Sequence, residues 1–227
     1  VREALDPGTP RAFAVIRPLK IVIENYPEDK EEALQALNHP GDESLGTRSL
    51  PFCRELYIEQ EDFQEDPPKK FFRLAPGREV RLRYAYLVTC TEVIKDSSGE
   101  IIEVRCTYDP ETRGGNAPDG RKVKGTIHWV SAQHSAQAEV RLYEPLFVDP
   151  EPNVSSENDL QNALNETSLT TLDNVQVEPS LTDAPPGSIF QFERLGYFCV
   201  DRDSTDARKV FNRTVALRDS WAKAKPK

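Results

Sequence analysis

The stretch EVRLRYAYLVTCTEVIKDSSGEIIEVRCTY, residues 79–108, decides the fold class. In its first part, 79–91, apolar residues recur at every second position, as in a strand with one buried face. The polar run 95–100 predicts a turn, and 101–108 continues as a second extended segment. The sequence therefore predicts a β-hairpin at the centre of the chain.

The polar face of the first predicted strand carries two arginines, Arg81 and Arg83. Side chains two positions apart in a strand point to the same side, about 6–7 Å from each other. We therefore expect the two guanidinium groups to share one face of the sheet.

Period-two patterns continue along most of the chain, and helical patterns are scarce. The further strand candidates are 12–16, 20–25, 54–58, 122–130, 138–143, 189–193, 197–201 and 210–217. The best helix candidates are 30–37 and 158–165, and the acidic segment 145–186 is interpreted as a connection that holds the second of them. With 18 prolines in the chain, the pattern favours an all-β protein built from barrels or sandwiches.

Composition places the 227 residues among globular chains, with 37% hydrophobic residues and a net charge of −9. No apolar run approaches the ~20 residues of a membrane helix, and the N-terminus lacks the pattern of a signal peptide, so no membrane partner is expected. The four cysteines form no CxxC pair, which favours buried, reduced thiols in a cytoplasmic protein. Methionine is absent, so we expect Val1 to be an internal residue of a longer protein.

The charges are segregated along the chain. The stretch 24–66 has 13 acidic residues against 3 basic, and 144–183 has 9 acidic residues and no Lys or Arg. Basic residues concentrate in three islands, 69–83, 113–124 and 194–227. Either these islands converge in space and give an acidic protein one cationic face, or they are scattered over solvated surfaces.

Signatures of catalysis are missing from the sequence. No glycine-rich phosphate loop and no GxSxG motif occurs. His128 and His134 are six residues apart, a weak metal pairing that is better interpreted as two hydrogen-bonding side chains. We therefore expect no catalytic residue, no metal site and no cofactor in this chain.

The segment Lys69-Lys70-Phe71-Phe72-Arg73 interleaves cations with aromatic rings. Proteins hold single-stranded RNA in this way, with cations on phosphates and base edges and with unstacked bases on aromatic rings. The alternative is that one or both phenylalanines pack into the core beside a charged edge strand.

Arginines in the first island suit base recognition better than lysines would. Arg73, Arg81 and Arg83 offer planar, forked donors that match the O6 and N7 acceptors of guanine. A lysine binds a phosphate equally well but distinguishes bases less sharply.

Seven strings together closely resemble one known family, the C-terminal anticodon-binding region of bacterial-type glutaminyl-tRNA synthetase, a class I aminoacyl-tRNA synthetase. The likeness runs from about residue 10 to 223. The strings are PRAFAVIRPLKIVIENY (10–26), GREVRLRYAYLV (77–88), CTYDPET (106–112), DGRKVKGTIHWVSAQHS (119–135), EVRLYEPLF (139–147), FQFERLGYFCVD (190–201) and VFNRTVALRDSWAK (210–223).

The resemblance implies two β-barrels related to the ribosomal L25-like fold, with few short helices. The proximal anticodon-binding barrel would take 1–66 and 165–227, and the distal barrel 67–164. The partners implied are the anticodon stem-loop of a glutamine tRNA and the chain's own N-terminal catalytic domain, with no role for DNA. ATP with magnesium belongs to the full-length enzyme, so the fragment alone is expected to be inactive and without a cofactor.

The resemblance also implies roles for single residues. Arg11, Gln191 and Arg194 fall where the family forms the pocket for the middle anticodon base, a uracil. Arg73 falls where an arginine reads the third base, a guanine. Lys69, Lys70, Phe71 and Phe72 precede that arginine and belong to the same anticodon surface.

First-base recognition is implied for Arg81 and Arg83. Where the family has Gln and Lys around the aromatic residue before the third-base arginine, this chain has Lys70 and Phe72, and Gly41 replaces an Asn of the family pattern. The preference at the first base therefore stays open. From the second basic island we expect phosphate contacts by Arg121, Lys122 and Lys124.

Two other readings of the resemblance stay open at this point. An L25-type ribosomal protein would share the barrel and bind a double-helical rRNA loop by its shape. The anticodon-binding region of a glutamyl-tRNA synthetase, from the same subclass, is also β-barrelled.

Overall fold

The computed structural model describes residues 1–149, 151–152 and 155–217. Within these ranges the chain forms sixteen strands and two α-helices, α1 (Arg2–Leu5) and α2 (Glu157–Ala163), neither long and apolar enough to cross a membrane. The strands are β1 (Arg11–Ala12), β2 (Ala14–Val15), β3 (Pro18–Ile23), β4 (Glu32–Leu37), β5 (Thr47–Phe52), β6 (Glu55–Glu59), β7 (Glu79–Leu82), β8 (Leu87–Lys95), β9 (Ile101–Asp109), β10 (Thr126–Ile127), β11 (Val130–Ser131), β12 (Ala136–Tyr143), β13 (Leu169–Val177), β14 (Ile189–Phe192), β15 (Gly196–Val200) and β16 (Lys209–Ala216). The all-β prediction is confirmed.

Two seven-stranded sheets make up the molecule, with a separate β4–β5 pair. The first sheet has the order β1-β14-β15-β16-β12-β13-β2, and the second has the order β10-β7-β8-β9-β3-β6-β11. One of them is a nearly closed barrel and the other is a half-barrel, as the barrel prediction requires.

The edges of both sheets meet at one junction. The edge strands β1 and β2 are separated by Phe13 alone, and β10 and β11 are separated by His128 and Trp129. The ring of Phe13 lies 6.0 Å from the ring of His128 and 6.2 Å from that of Trp129, centroid to centroid. His128 Nε2 is 2.9 Å from the carbonyl oxygen of Ala14. The two sheets therefore close against each other, and His128 has the hydrogen-bonding role predicted for it.

Each seven-stranded sheet contains strands from the residue ranges of both predicted barrels. β3 and β6 lie within 1–66, yet they join the second sheet, where β3 pairs in parallel with β9. β12 lies within 67–164, yet it pairs with β13 and β16 in the first sheet. A parallel pair so far apart in sequence leaves no local pattern, so the bounds of a sheet cannot be found by reading along the chain.

The central hairpin is present, but its first strand is shorter than predicted. β8 and β9 pair antiparallel around the turn, which confirms the hairpin. The single strand predicted over 79–91 is wrong, because β7 ends at Leu82 and turns back into β8. Tyr84 sits in this turn with a left-handed φ of 64°, its ring stacked 6.1 Å from that of Phe13. Alternation could not show the turn, because apolar residue types continue at every second position through it.

Other local predictions have mixed outcomes. The helix expected at 158–165 is confirmed as α2. The helix expected at 30–37 is wrong: this segment is β4, in which Leu34 and Ala36 alternate with more exposed residues. The segment 145–186 is more than a connection, since it contains the nine-residue strand β13. The strand expected at 122–130 is reduced to β10 and the start of β11.

Two hydrophobic cores hold the sheets. The larger core, under the second sheet and the β4–β5 pair, includes Tyr26, Phe52, Tyr86 and Trp129 in edge-to-face or tilted contacts. The smaller core lies in the first sheet around three phenylalanines, Phe192, Phe198 and Phe211. Rigid sheets of this kind fix the positions of the loops that carry the candidate site.

Candidate nucleic-acid interface

The first two basic islands meet on one surface, which we call the basic groove. Six cationic side chains face it and only one acidic side chain does. The groove is lined by Lys69, Phe71, Phe72, Arg73, Arg78, Glu79, Arg121, Lys122, Val123, Lys124 and Gly125. An acidic protein therefore presents a local cationic surface formed by two of the three basic islands, and the convergence of all three stays a prediction.

Backbone contacts hold the two segments of the groove together. The amide of Arg81 donates to the carbonyl oxygen of Gly125 at 2.9 Å and joins the first segment to the second, whereas Arg78 Nη1 donates to the carbonyl oxygen of Phe71 at 2.8 Å within the first segment. A Cβ atom at Gly125 would lie 2.4 Å from the carbonyl oxygen of Phe72. Only glycine allows the segments to come so close.

Phe72 is the exposed aromatic ring of the groove, with 52% of its surface accessible. Lys124 Nζ lies 5.0 Å from the centre of that ring. Phe71 is half-buried, and Lys69, Lys70 and Lys122 are exposed. An accessible ring flanked by ammonium groups can stack a base and bind its phosphate at the same place.

Arg121 differs from its lysine neighbours because carboxylates surround it. Its guanidinium donates to Glu79 at 3.0 Å, to Asp119 at 2.7 Å and to Asp109. The hydrogen bonds that Arg121 donates to these three acids, Glu79 first, raise the pKa of Arg121 above its ordinary value. The charge of Arg121 is thus matched inside the protein, whereas Lys122 has no ion pair in the described part of the chain.

Arg81 and Arg83 have different side-chain partners at the end of β7. Arg81 Nη1 donates to the carbonyl oxygen of Thr112 at 3.2 Å, and burial lowers the pKa of Arg81. Arg83 lies in the turn, where its Nε is 2.7 Å from the buried Glu193 Oε2 and its guanidinium lies over the ring of Tyr84. The amide of Arg83 donates to the carbonyl oxygen of Ile127 at 3.0 Å, as the amide of Arg81 does to that of Gly125, so the expectation that both arginines share one face stays a prediction.

Arg73 and Arg194 come together in a small pocket, which we call the arginine pocket. Both contact Asp62, whose side chain has no exposed surface. Arg194 forms a bidentate pair with it, Nη1 to Oδ2 and Nη2 to Oδ1, each at 2.5 Å. Arg73 Nε lies 3.3 Å from Oδ1 of Asp62. Burial lowers the pKa of Arg194, but the hydrogen bonds to Asp62 outweigh burial and raise it.

Arg11 and Gln191 form a third site in the first sheet. They are directly paired between β1 and β14. Arg11 Nη2 and the hydroxyl of Tyr197 each contact Asp6 at 3.0 Å. Arg11 Nε and Gln191 Oε1 are buried without a hydrogen-bond partner. A buried donor and a buried acceptor without partners among the described residues are groups that a ligand with complementary polar atoms could satisfy.

Comparison with known proteins decides the family. A family model described as "tRNA synthetases class I (E and Q), anti-codon binding domain" matches residues 9–109, and a second model with the same description matches residues 126–201. This chain belongs to that anticodon-binding family. The resemblance stated from the sequence is confirmed.

Relatives of this anticodon-binding chain include several glutamine–tRNA ligases. That of Nitrobacter hamburgensis is 60% identical over 223 residues, which are 98% of this chain and 39% of the relative. That of Rhodopirellula baltica is 53% identical over 228 residues, covering 100% of this chain and 38% of the relative. That of Pseudomonas putida is 53% identical over 223 residues. The chain thus spans about two fifths of the length of these relatives.

Sequence reasoning missed the buried partners of the anticodon-binding surface. Asp62 contacts both Arg73 and Arg194, and Glu193 contacts Arg83. Asp62 lies in an acidic stretch that is typical of a solvated surface, and Glu193 is one letter in FQFER. Their burial depends on contacts between the two sheets, so no signal in the sequence could have identified them.

Proposed function

We propose that this chain reads the anticodon of a glutamine tRNA on behalf of a glutamine–tRNA ligase. The family assignment supports RNA binding, and the relatives named above support glutamine. The full enzyme would carry an N-terminal catalytic domain, use ATP with magnesium, and act in the cytoplasm. In the described residues no group of three or more His, Cys, Asp or Glu side chains could hold a metal ion, so the proposal assigns ATP and magnesium to the catalytic domain.

The observation that carries the proposal is the convergence of the 69–73 and 121–125 segments on the basic groove. Arg73 lines both this groove and the arginine pocket, so a strand of RNA in the groove passes directly to the arginine pocket. Lysines and Phe72 would hold the backbone and one stacked base. The arginine pocket would then inspect base edges.

Base reading would follow from the donors and acceptors of each site. Arg73 is proposed to meet the third base, a guanine, whose O6 and N7 accept a forked donor. Arg11, Gln191 and Arg194 are proposed to meet the middle uracil, and Arg81 with Arg83 the first base. A wrong base leaves buried donors unpaired, at a cost of about 1–3 kcal/mol each.

The test is binding of this chain to two anticodon stem-loops, glutamine and glutamate, that differ in the third anticodon base. Fluorescence anisotropy at a fixed salt concentration should show about tenfold tighter binding of the glutamine stem-loop. Equal affinity would remove the proposed role of Arg73. A double-helical rRNA loop is tested as a third ligand. Tighter binding of this loop would favour the alternative of an L25-type ribosomal protein.

A further inference from the structure

Asp62 is a single buried carboxylate shared by two arginines from different sheets. It ends the 3-10 segment Gln60–Asp62 that follows β6 in the second sheet. Arg194 reaches it from the turn between β14 and β15 in the first sheet. Arg73 reaches the same carboxylate from the segment that lines the basic groove.

Arg73 and Arg194 keep N–H donors available to a ligand, whereas the Asp62 carboxylate that holds them is buried. The side chain of Arg73 is 38% exposed and that of Arg194 is 29% exposed, whereas Asp62 has no exposed side-chain surface. A guanidinium has five N–H groups, and the contacts to Asp62 use only part of them. The remaining N–H groups can meet a ligand without losing the carboxylate.

His128 fixes the orientation of Arg194 from the other side. Since His128 Nε2 donates to the carbonyl oxygen of Ala14, its Nδ1 is the acceptor, and Arg194 Nη1 lies 3.3 Å from it. The backbone of Arg194 is also held in a left-handed conformation, with φ of 69°. Arg194 is therefore set before any RNA arrives.

We propose that Asp62 is a positioning residue that holds Arg73 and Arg194 in common and thereby couples the reading of two anticodon bases. The inference rests on the proposed function, which gives Arg73 the third base and Arg194 the middle base. Removing a charged partner from a buried carboxylate is costly. If one arginine shifts away from Asp62, the carboxylate must adjust towards the other arginine, and the position of that second arginine changes as well. A wrong base at one position then weakens recognition at the next.

The test compares Asp62→Asn with Asp66→Asn. Asp66 is an exposed aspartate four residues further along, so its substitution changes the net charge equally without touching the arginine pocket. Each variant is titrated with the glutamine stem-loop and with stem-loops changed at the first, middle or third anticodon base. In D62N we expect the middle-base and third-base preferences to fall together by about tenfold, with first-base preference kept. D66N should keep all three.

Two further results distinguish a positioning role of Asp62 from a general loss of structure in D62N. The salt dependence of binding should be the same in D62N as in the parent chain, because the phosphate contacts lie in the basic groove. A uniform loss over all stem-loops, or unchanged middle-base and third-base preferences in a folded D62N, would overturn the inference. If the parent chain itself shows no base preference, the proposed function fails instead.

A measurement on the parent chain covers the case in which D62N does not fold. The stem-loop changed at both the middle and the third base should lose less affinity than the product of the two single losses, by about fivefold. Independent, multiplicative losses would show that the two arginines act separately, and the inference would be wrong.

Discussion

Phe72 keeps half of its surface exposed although Leu74, two residues along, is fully buried. Phe72 belongs to neither of the two hydrophobic cores described above, so core packing does not explain an exposed aromatic ring at this position. We expect Phe72→Ala to weaken RNA binding by about 1–3 kcal/mol, the value of one base stacked on a ring.

The matched control for Phe72 is Phe72→Tyr, which keeps the ring and should bind like the parent chain. Thermal denaturation should be unchanged in both variants, because the side chain is exposed. A fall in melting temperature with no change in binding would show that Phe72 serves packing instead.

Lys122 and Arg121 are adjacent cations of the basic groove with different environments. Lys122 is exposed and unpaired in the described part of the chain, whereas three carboxylates hold Arg121. Lys122→Ala should weaken binding of every stem-loop alike and reduce the slope of log affinity against log salt by about one. Lys122→Arg should restore both.

Arg121→Ala should instead lower the melting temperature, because Glu79, Asp109 and Asp119 lose their shared partner. A base-selective loss in the Lys122 variant would contradict its assignment to phosphate. In the sequence, Arg121 and Lys122 are adjacent basic residues with no visible difference in role. Only the carboxylates around Arg121 in the structure distinguish them.

At the scale of elements, β4 carries an ionisable group that ties it to its neighbours. Glu32 accepts hydrogen bonds from the hydroxyls of Tyr26 at 2.7 Å and Tyr86 at 2.9 Å, and it pairs with Lys30 and Arg113. Burial alone would raise the pKa of Glu32, but the hydrogen bonds from Lys30, Tyr26 and Tyr86 lower it from 4.5 to about 2.

The lowered pKa of Glu32 predicts an acid-dependent loss of stability. The carboxyl group of Glu32 takes up its proton near pH 4.5 in the unfolded chain and only near pH 2 in the folded chain. Its contribution to stability is therefore complete above pH 4.5 and is lost as the pH falls towards 2. In Glu32→Gln the free energy of unfolding should be lower at neutral pH and should fall less steeply between pH 4.5 and 2. Denaturant unfolding across this range tests it.

The control for Glu32 is Glu100→Gln, an exposed carboxylate in the turn between β8 and β9. It should follow the parent curve. An identical acid slope in the Glu32 variant would show that its contacts contribute nothing to stability.

Elements could be predicted where the local pattern and the burial agree. β9, β12 and β16 agree with the strands predicted at 101–108, 138–143 and 210–217, where apolar residues recur with period two. β4 was mistaken for a helix because a six-residue segment with two small alanines suits either period. The turn at Tyr84 was missed because nothing in the residue types announces a left-handed tyrosine.

At the scale of the molecule, the family resemblance predicts the class of fold, but neither it nor the local patterns predict how distant strands pair. Alternation gives strands but no partners for them, and the parallel pairs β3–β9 and β12–β16 join segments far apart in sequence. The residue types of the basic groove are visible in the sequence, but the carboxylates that hold Arg73 and Arg121 are identified only by the structure. Positions fixed by long-range contacts therefore need the fold itself.

The junction of the sheets is also held by the buried pair of Arg48 and Glu178. Arg48 Nε donates to Glu178 Oε1 at 2.6 Å, and the amide of Phe13 donates to Glu178 Oε2 at 2.7 Å. The two side chains are 7% and 1% exposed. Burial raises the pKa of Glu178, although Arg48 opposes this. The pair links β5 to the end of β13, and so to the first sheet.

Because the pair is buried, removing one partner leaves a charge in the junction without its counter-charge. Arg48→Met and Glu178→Gln, in which the amide oxygen can still accept from Phe13, should each lower the free energy of unfolding by about 3–5 kcal/mol. The double variant leaves no unpaired charge, so its loss should fall short of the sum of the single losses by about 0.5–3 kcal/mol. Urea unfolding of the four proteins measures this difference. Additive losses would show that Arg48 and Glu178 act independently, through Leu37 and Phe13, and that the ion pair does not join the β4–β5 pair to the first sheet.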